Sequence, residues 1–188
     1  MAHEAGQIRE EELDAQREAL RRTALAQIRQ YGDAALRMKA NEVEDFDEDL
    51  DRLVRRMKQL MVDANGVGLA ATQLGVLRRV LVFQEDREQE PVALVNPVVV
   101  ERSDDTTTDD EGCLSLQGVL VPVERAAAIS IEAKDESGAD VRLELDEPGA
   151  RVVQHEVDHL DGVLIIDRTT PEARREALSV LRPRIALV

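Results

Sequence analysis

Apolar residues recur at helical spacing in the first third of the chain. From Asp47, a residue type that caps helices, they follow the i, i+3, i+4, i+7 rule as far as Asn65 and Gly66. This spacing predicts an amphipathic helix that ends at the Asn-Gly pair. A weaker stripe runs through residues 1–27, which are highly charged. We expect this stretch to be an N-terminal extension, helical or partly disordered, with no chemical role.

Short apolar runs replace the helical spacing in the middle of the chain. Runs of this length that are rich in Val, Leu and Ile predict β-strands. The predicted strands are 79–83, 92–95, 98–100 and 119–123. Residues 128–133 and 141–145 predict a hairpin around the turn at 136–138. The polar stretch 104–110 predicts a loop.

Helical spacing returns near Pro148. A helix that opens there is predicted to run to Asp161-Gly162, because Pro suits a first helical turn and Gly suits the end. A short strand over 163–166 follows, and then a last helix from Pro171 to near Pro183. One helix, several strands and then helices predict an α+β domain.

Composition and charge exclude several classes of function. The 188 residues include 24 Lys and Arg against 39 Asp and Glu, a formal net charge of −15. This surplus argues against nucleic-acid binding and against anionic membranes. The single Cys excludes an intrachain disulfide, and the N-terminus has no apolar run typical of a signal peptide. No stretch reaches the roughly 20 apolar residues that cross a bilayer. We therefore expect a soluble, cytoplasmic monomer.

The predicted helix after Pro148 carries a His-Glu-x-x-His segment. At about 100° per residue, His155 and His159 lie about 40° apart on one face, so both imidazoles can bind one metal ion. Glu156 falls beside that ion. The pair lies between an apolar arc and a polar arc that includes Asp158, which we expect to orient His159. Two such His also occur by chance on ordinary helices, so the interpretation needs a third ligand.

Cys113 could complete a metal site. It follows the predicted polar loop and precedes a predicted strand. A lone Cys is more often a small buried apolar residue than a ligand. A thiolate together with two imidazoles, however, gives a Cys-His-His set that leaves a fourth position open for water, as catalytic metal sites require.

Residues 66–73 read Gly-Val-Gly-Leu-Ala-Ala-Thr-Gln. They match a dinucleotide-binding fingerprint formally. That fingerprint must follow a strand, and these residues follow a predicted helix, so dinucleotide binding is excluded. Two interpretations remain. The glycines could form the turn that ends the helix, or they could let the backbone approach a ligand while the Gln73 amide donates a hydrogen bond to a developing oxyanion.

Three motifs occur in order along the chain. Residues 66–73 read Gly-x-Gly-Leu-Ala-Ala-x-Gln, residues 111–115 read Glu-Gly-Cys-Leu-Ser, and residues 154–162 read Gln-His-Glu-x-Asp-His-Leu-x-Gly. Together they resemble the peptide deformylase family. The resemblance implies an α+β fold with mixed or antiparallel sheets around a central metal-binding helix. It also implies a single catalytic domain over 28–188, preceded by the charged extension 1–27.

The resemblance implies a metal-dependent hydrolase. Cys113, His155 and His159 correspond to the ligands of a metal ion, usually ferrous iron, with zinc, nickel or cobalt able to occupy the site. Glu156 corresponds to the general base and acid. The implied reaction removes the N-formyl group from the formylmethionine of nascent polypeptides, near the ribosome, and releases formate.

Other positions are implied to bind the substrate. Gln73 and the backbone N–H of Leu114 correspond to the oxyanion hole, and Gly68 lines the cramped pocket that admits a formyl group. Backbone near Val67 and Gly112 would pair with the peptide as an added strand, and a hydrophobic pocket would hold the Met side chain.

The chain departs from the family pattern after the Cys motif. Gln117 stands where Pro is common, and Leu120 stands where some members have an Arg that holds the peptide backbone.

Two other functions fit parts of the pattern. A zinc metallopeptidase of the His-Glu-x-x-His type would typically take a third ligand from a downstream His or Glu, and no His follows His159. A metal-binding homologue without activity would lack the base or the oxyanion donor, whereas Glu156 and Gln73 are both present.

Overall fold

The computed structural model describes the backbone of residues 2–181 and the side chains of residues 14–181. The helices are α1 (Ala2–Leu25), α2 (Glu48–Asp63), α3 (Gly149–Leu160), α4 (Ile165–Arg168) and α5 (Pro171–Leu181). The strands are β1 (Gly68–Ala70), β2 (Val80–Phe83), β3 (Val92–Arg102), β4 (Thr106–Cys113), β5 (Leu116–Ala126), β6 (Ala128–Lys134) and β7 (Asp140–Asp146). Short 3-10 helices span Ala34–Arg37 and Ala71–Leu74. This is the predicted α+β class.

Helix α2 begins and ends where the sequence predicts. The Asp47 carboxylate accepts a hydrogen bond of 2.9 Å from the Leu50 N–H and so caps the first turn. Asn65 takes a positive φ of 59°. The chain then turns back, and the Gly66 N–H donates to the Met61 carbonyl over 2.9 Å. The local signals of a cap and of an Asn-Gly stop therefore determine both ends of this helix.

The strands form two antiparallel sheets. The main sheet has the order β1-β2-β3-β6-β7, and β4 pairs with β5 in a separate ribbon. The predicted hairpin is confirmed as β6 and β7. The two predicted strands 92–95 and 98–100 are one strand, β3, whose pairing with β6 shifts register between Val95 and Val98. A bulge at this point bends the strand without ending it.

The predicted loop at 104–110 is wrong, because most of this stretch lies in β4. Thr106 pairs with Ala126 and Gly112 with Leu120, so the ladder to β5 runs along the whole strand. Glu111 is the one buried side chain of β4. Strand β4 itself is largely exposed, so it has no need of apolar residues and carries no hydrophobic alternation, whereas its partner β5 buries Val119, Val121 and Val123.

The predicted strand at 163–166 is also wrong. Leu164 and Ile166 are buried, but the chain forms the short helix α4 from Ile165, and the Leu164 N–H donates to the Asp167 carboxylate over 3.0 Å. A short apolar run shows burial but does not separate strand from helix. Helix α5 begins at Pro171 as predicted, and its predicted end near Pro183 lies outside the described residues. No helix within residues 2–181 is long and apolar enough to cross a membrane.

The main sheet is covered by α2 on one face and by α3 on the other. Alternate residues of β2 enter different core clusters, since Val80 and Val82 pack with α2 whereas Leu81 and Phe83 pack with α3. Val153, Val157 and Leu160 form the apolar face of α3 in the second cluster. Helix α3 therefore lies between the main sheet and the β4–β5 ribbon, where it can face residues from both.

Candidate metal centre and active site

Three possible metal ligands converge between α3 and the end of β4. The rings of His155 and His159 lie with their centroids 5.0 Å apart, because the two residues are one helical turn apart on α3. The Cys113 Sγ lies 3.2 Å from the His159 Nε2. One ligand atom from each of the three residues lies within 4.8 Å of the other two.

This cluster fits a metal ion by its dimensions and its chemistry. Bonds of about 2.0 to 2.3 Å to a tetrahedral metal place the ligand atoms roughly 3.3 to 3.8 Å apart. The distance of 3.2 Å between the Cys113 Sγ and the His159 Nε2 is close to this range, and all three ligand atoms lie within 4.8 Å of one another. One thiolate and two imidazoles suit a transition metal, while hard cations such as Mg²⁺ prefer oxygen ligands.

The position of Cys113 follows from a break in the β4–β5 ladder. The register shifts between Gly112 and Cys113, which pairs with Leu116. Such a shift turns a side chain away from its regular direction. The Ser115 N–H then lies 3.4 Å from the Cys113 Sγ. The tight turn between the two strands thus directs the sulfur towards α3.

Glu111 is a site residue that the sequence reasoning did not single out for a role. Its Oε2 lies 3.0 Å from the His155 Nδ1, so Glu111 fixes the ring of one possible ligand. The Arg125 guanidinium donates to both Glu111 carboxylate oxygens over 2.9 Å. Burial opposes ionisation, but the hydrogen bonds from His155 and Arg125 outweigh it and lower the pKa of Glu111 to about 2. Its place in the Glu-Gly-Cys-Leu-Ser motif was the available signal.

Asp158 does not orient His159, contrary to expectation. Its carboxylate accepts a hydrogen bond of 2.5 Å from Arg125 and another of 2.6 Å from Arg168. The His159 Nδ1 is buried without a hydrogen-bond partner among the described residues. The helical projection places Asp158 on the polar arc of α3, but this arc is buried under the β4–β5 ribbon, and its charges are paired there.

The two imidazoles hold protons differently. At His155 burial favours the neutral ring, yet hydrogen bonds with Cys113 and Glu111 prevail and raise the pKa well above its usual value. At His159 burial and the nearby positive charge of His155 lower the pKa well below its usual value. A metal ion needs neutral imidazoles and a thiolate, so its binding would displace the proton from His155.

Glu156 lies in the cramped part of the site. It is 4% exposed, and its Oε2 has no hydrogen-bond partner in the described part of the chain. A Cβ atom at Gly68 would lie 2.9 Å from the Glu156 Cδ, closer than real contacts allow. Burial raises the pKa of Glu156 to about 7, although His155 acts against the shift. A carboxyl with such a pKa can both take and give a proton near neutral pH.

Gln73 is held with its amide nitrogen towards the sulfur. Its Oε1 accepts a hydrogen bond of 2.8 Å from the Ala70 N–H, which fixes the orientation of the side chain. The Nε2 lies 3.1 Å from the Ser115 Oγ and 3.8 Å from the Cys113 Sγ. The turn interpretation of residues 66–73 is confirmed, since Gly66 closes α2, while the role of Gln73 as an oxyanion donor stays a prediction.

A cavity of about 550 Å³ opens onto this centre. It is large enough for a small ligand or for part of a peptide. The sequence-predicted site residues that line it are Val67, Gly68, Gln73, Gly112, Cys113, Leu114, His155 and Glu156. His159 is 1% exposed and lies behind them. The structure thus brings together the nine site residues that the sequence predicts.

The comparisons with known proteins agree on one family. The sequence model of polypeptide deformylases matches residues 25–175. Peptide deformylase from Dictyoglomus turgidum is 46% identical over 149 residues, which cover 79% of this chain and 95% of the relative. Peptide deformylase from Clostridium botulinum is 45% identical over 147 residues, which cover 78% and 98%.

Solved structures give the same result. The deformylase of Synechococcus elongatus in complex with actinonin has a TM-score of 0.78 at 38% identity, over 83% of this chain and 91% of that one. The deformylase of Thermotoga maritima has a TM-score of 0.74 at 43% identity, over 77% and 97%. A plant peptide deformylase has a TM-score of 0.80 at 37% identity, over 82% and 86%.

Proposed function

The chain belongs to the polypeptide deformylase family, and we propose that Cys113, His155 and His159 hold the metal ion with which it acts. The enzyme is a peptide deformylase, which removes the N-formyl group from nascent polypeptides. The observation that carries the proposed site is the convergence of a thiol and two imidazoles beside the buried Glu156.

The metal in this proposal is ferrous iron, and zinc, nickel or cobalt could take its place. A thiolate ligand favours such soft or borderline transition metals. When bound, the ion would polarise the formyl carbonyl and lower the pKa of a water molecule. Glu111 and Arg125 would support metal binding by orienting His155. Arg125 holds the Glu111 carboxylate, which contacts the His155 Nδ1 and leaves the other ring nitrogen for the metal.

Glu156 moves the proton in the proposed reaction. As the water oxygen bonds to the formyl carbon, the carboxylate takes the water proton. When the bond between this carbon and the peptide nitrogen breaks, Glu156 gives the proton to the leaving amine. A pKa of about 7 suits both steps, since neither protonation state is then costly. Formate and a free N-terminus are the products.

Gln73 and the Leu114 N–H stabilise the oxyanion in this proposal. The amide of Gln73 is fixed by its bond with Ala70 before substrate arrives, so little reorganisation is needed when the carbonyl oxygen gains charge. The contact between Gly68 and Glu156 keeps the pocket small. A formyl group, which carries only hydrogen beside its carbonyl, would fit where larger acyl groups would not.

The peptide lies along the cavity as an extra strand. Backbone groups near Val67 and Gly112 would pair with it, and the cavity of about 550 Å³ offers room for the Met side chain. We also propose that a monomeric protein acts in the cytoplasm on chains leaving the ribosome. The net charge of −15 supports an interaction with peptides instead of nucleic acid.

Formate release from formyl-Met-Ala-Ser tests the function. We expect the wild-type protein to release formate and Glu156→Ala to retain its metal but lose about 10² to 10⁴-fold in rate, because acid-base catalysis is removed. Cys113→Ser should lower metal content or change the bound metal. Metal analysis of anaerobically purified protein identifies the ion.

Two results would overturn the proposal. A Glu156→Ala protein as active as the wild type would remove the base from the mechanism. If the protein cleaves internal bonds of an N-acetylated peptide and releases no formate from formyl-Met-Ala-Ser, a metallopeptidase would be favoured instead.

A further inference from the structure

An arginine from the N-terminal helix lines the catalytic cavity. Arg21 of α1 borders the same cavity as Cys113 and Glu156. It precedes residue 25, where the match to the polypeptide deformylase family begins. Arg21 is therefore a feature of this chain that the family match does not include.

Helix α1 is packed in a defined position near Arg21. Ala24 is 2% exposed and Ile28 is 3% exposed, and both belong to the core cluster of α2. Leu25 and Leu114 pack against this cluster. Since Ala24 and Leu25 lie one helical turn after Arg21, they anchor the helix face that carries it. Leu114 also lines the cavity, so the anchor and the site share a wall.

The segment that follows α1 is bonded directly to the proposed oxyanion residues. The Arg29 N–H donates to the Gln73 carbonyl over 2.7 Å. The Gln30 side-chain amide donates to the Leu114 carbonyl over 3.1 Å. The Tyr31 N–H donates to the Ser115 carbonyl over 2.8 Å. These bonds fix the distance between the end of α1 and the reacting centre.

The Arg21 guanidinium has donors to offer a ligand. Its ion-pair partner among the described side chains is Glu18 at 3.7 Å, and the two side chains are 41% and 63% exposed. Arg87, the other exposed cation that lines the cavity, already donates to Asn65. An arginine beside the proposed peptide path would attract negative groups even though the protein as a whole carries a net charge of −15.

We propose that Arg21 is a specificity-determining residue that binds the carboxylate of an acidic residue downstream of the formylmethionine. A guanidinium pairs with a carboxylate through two parallel hydrogen bonds, which a neutral amide cannot match. The reacting formyl group would lie at the buried Glu156, whereas Arg21 is partly exposed. Arg21 would therefore contact peptide residues that follow the formylmethionine and lie nearer to solvent. This inference rests on the proposed function.

Peptides that differ in one charge test the inference. The substrates are formyl-Met tetrapeptide amides that carry Glu, Gln or Lys in turn at the second, third and fourth positions, with Ala elsewhere. At one of these positions we expect the wild type to prefer Glu over Gln by about two- to fivefold in kcat/KM, which is the size expected for an exposed ion pair. The difference should come from a lower KM for the Glu peptide. Arg21→Gln should abolish this preference, and raised salt should weaken it in the wild type.

Arg17→Gln is the matched control. Arg17 lies one turn earlier on α1, is 79% exposed and does not line the cavity, so its loss should leave the preference intact. An unchanged Glu-to-Gln ratio in Arg21→Gln, or an equal loss for all peptides, would overturn the role of Arg21. A wild type that is active without any charge preference would overturn it too. A wild type that releases no formate from any peptide would overturn the proposed function instead.

Discussion

Glu111 shows how one residue links two parts of the site. It is the buried residue of a strand that is otherwise largely exposed, and it joins His155 on α3 to Arg125 on β5. Its low pKa keeps it ionised throughout the physiological range. In the proposed site this carboxylate would make His155 a better metal ligand, because a proton held on Nδ1 by Glu111 raises the basicity of the other ring nitrogen.

Glu111→Gln should therefore weaken metal binding while keeping the shape of the side chain. We expect a loss of about 10- to 100-fold in metal affinity, as is typical when the partner of a ligating His is changed. Competition with a chromophoric chelator measures the affinity. Glu124→Gln is the control, since Glu124 lies on β5 next to Arg125 but is exposed. Equal affinities in the wild type and Glu111→Gln would show that the hydrogen bond to His155 has no such effect.

The residues of α3 show which side-chain positions the sequence pattern predicts and which it does not. Spacing predicts correctly that His155 and His159 share a face, because helix geometry is local. It fails for Asp158, whose partners Arg125 and Arg168 are distant in sequence. A polar residue that faces another element can be buried and paired, and no periodicity distinguishes it from one that faces water.

Helix α2 is the element in which sequence and structure agree most closely. Its cap, its stop and its apolar stripe were all predicted, and the stripe is the face that packs on the main sheet. Such agreement is expected where one helix face meets one sheet face, because the hydrophobic periodicity then has a single cause.

Two adjacent residues of α2 provide a stability test. Met61 is 0% exposed and Val62 is 48% exposed. Met61→Ala should lower the free energy of unfolding by about 2 to 5 kcal/mol, because it leaves a cavity in the core. Val62→Ala should change it by less than about 0.5 kcal/mol. Urea denaturation of both variants measures the difference. Similar midpoints for the two variants would contradict the packing of α2 described above.

Elements that depend on a distant partner are those that the sequence misses. Strand β4 has polar residues throughout its first half, and only its ladder with β5 makes it a strand. Helix α4 has an apolar run that resembles a strand. In the folded protein this run forms a helical turn that packs in one core cluster with residues of β5 and α5. In both cases tertiary contacts override local preference.

At the scale of the whole molecule, the proposed metal site adds a further link between two parts of the fold that already contact each other. Cys113 belongs to the β4–β5 ribbon, whereas His155 and His159 belong to the helix that covers the main sheet. An ion bound to all three would act as a cross-link between the ribbon and α3. It would stabilise the folded state, because the unfolded chain does not hold the ligands together.

Removal of the metal should therefore lower the melting temperature as well as the activity. A ligand at about 100 times its dissociation constant stabilises a protein by about 2.7 kcal/mol. Thermal unfolding with a chelator, and after metal is added back, measures the shift, which we expect to be smaller in Cys113→Ser. A wild-type protein of demonstrated metal content that melts at the same temperature with and without chelator would contradict the cross-link.

The sequence by itself determined the α+β class, the two ends of α2, the β6–β7 hairpin and the identity of the residues in the three motifs. These follow from local rules of capping, turn formation and side-chain period, which act within a few residues. Only the tertiary structure decided how the motifs meet. In the folded protein the polar arc of α3 is buried under the β4–β5 ribbon, and Glu111 lies within hydrogen-bond distance of His155. Asp158 is paired with two arginines, and Arg21 lines the cavity. Such pairings join residues far apart in sequence, so packing sets them and local pattern does not.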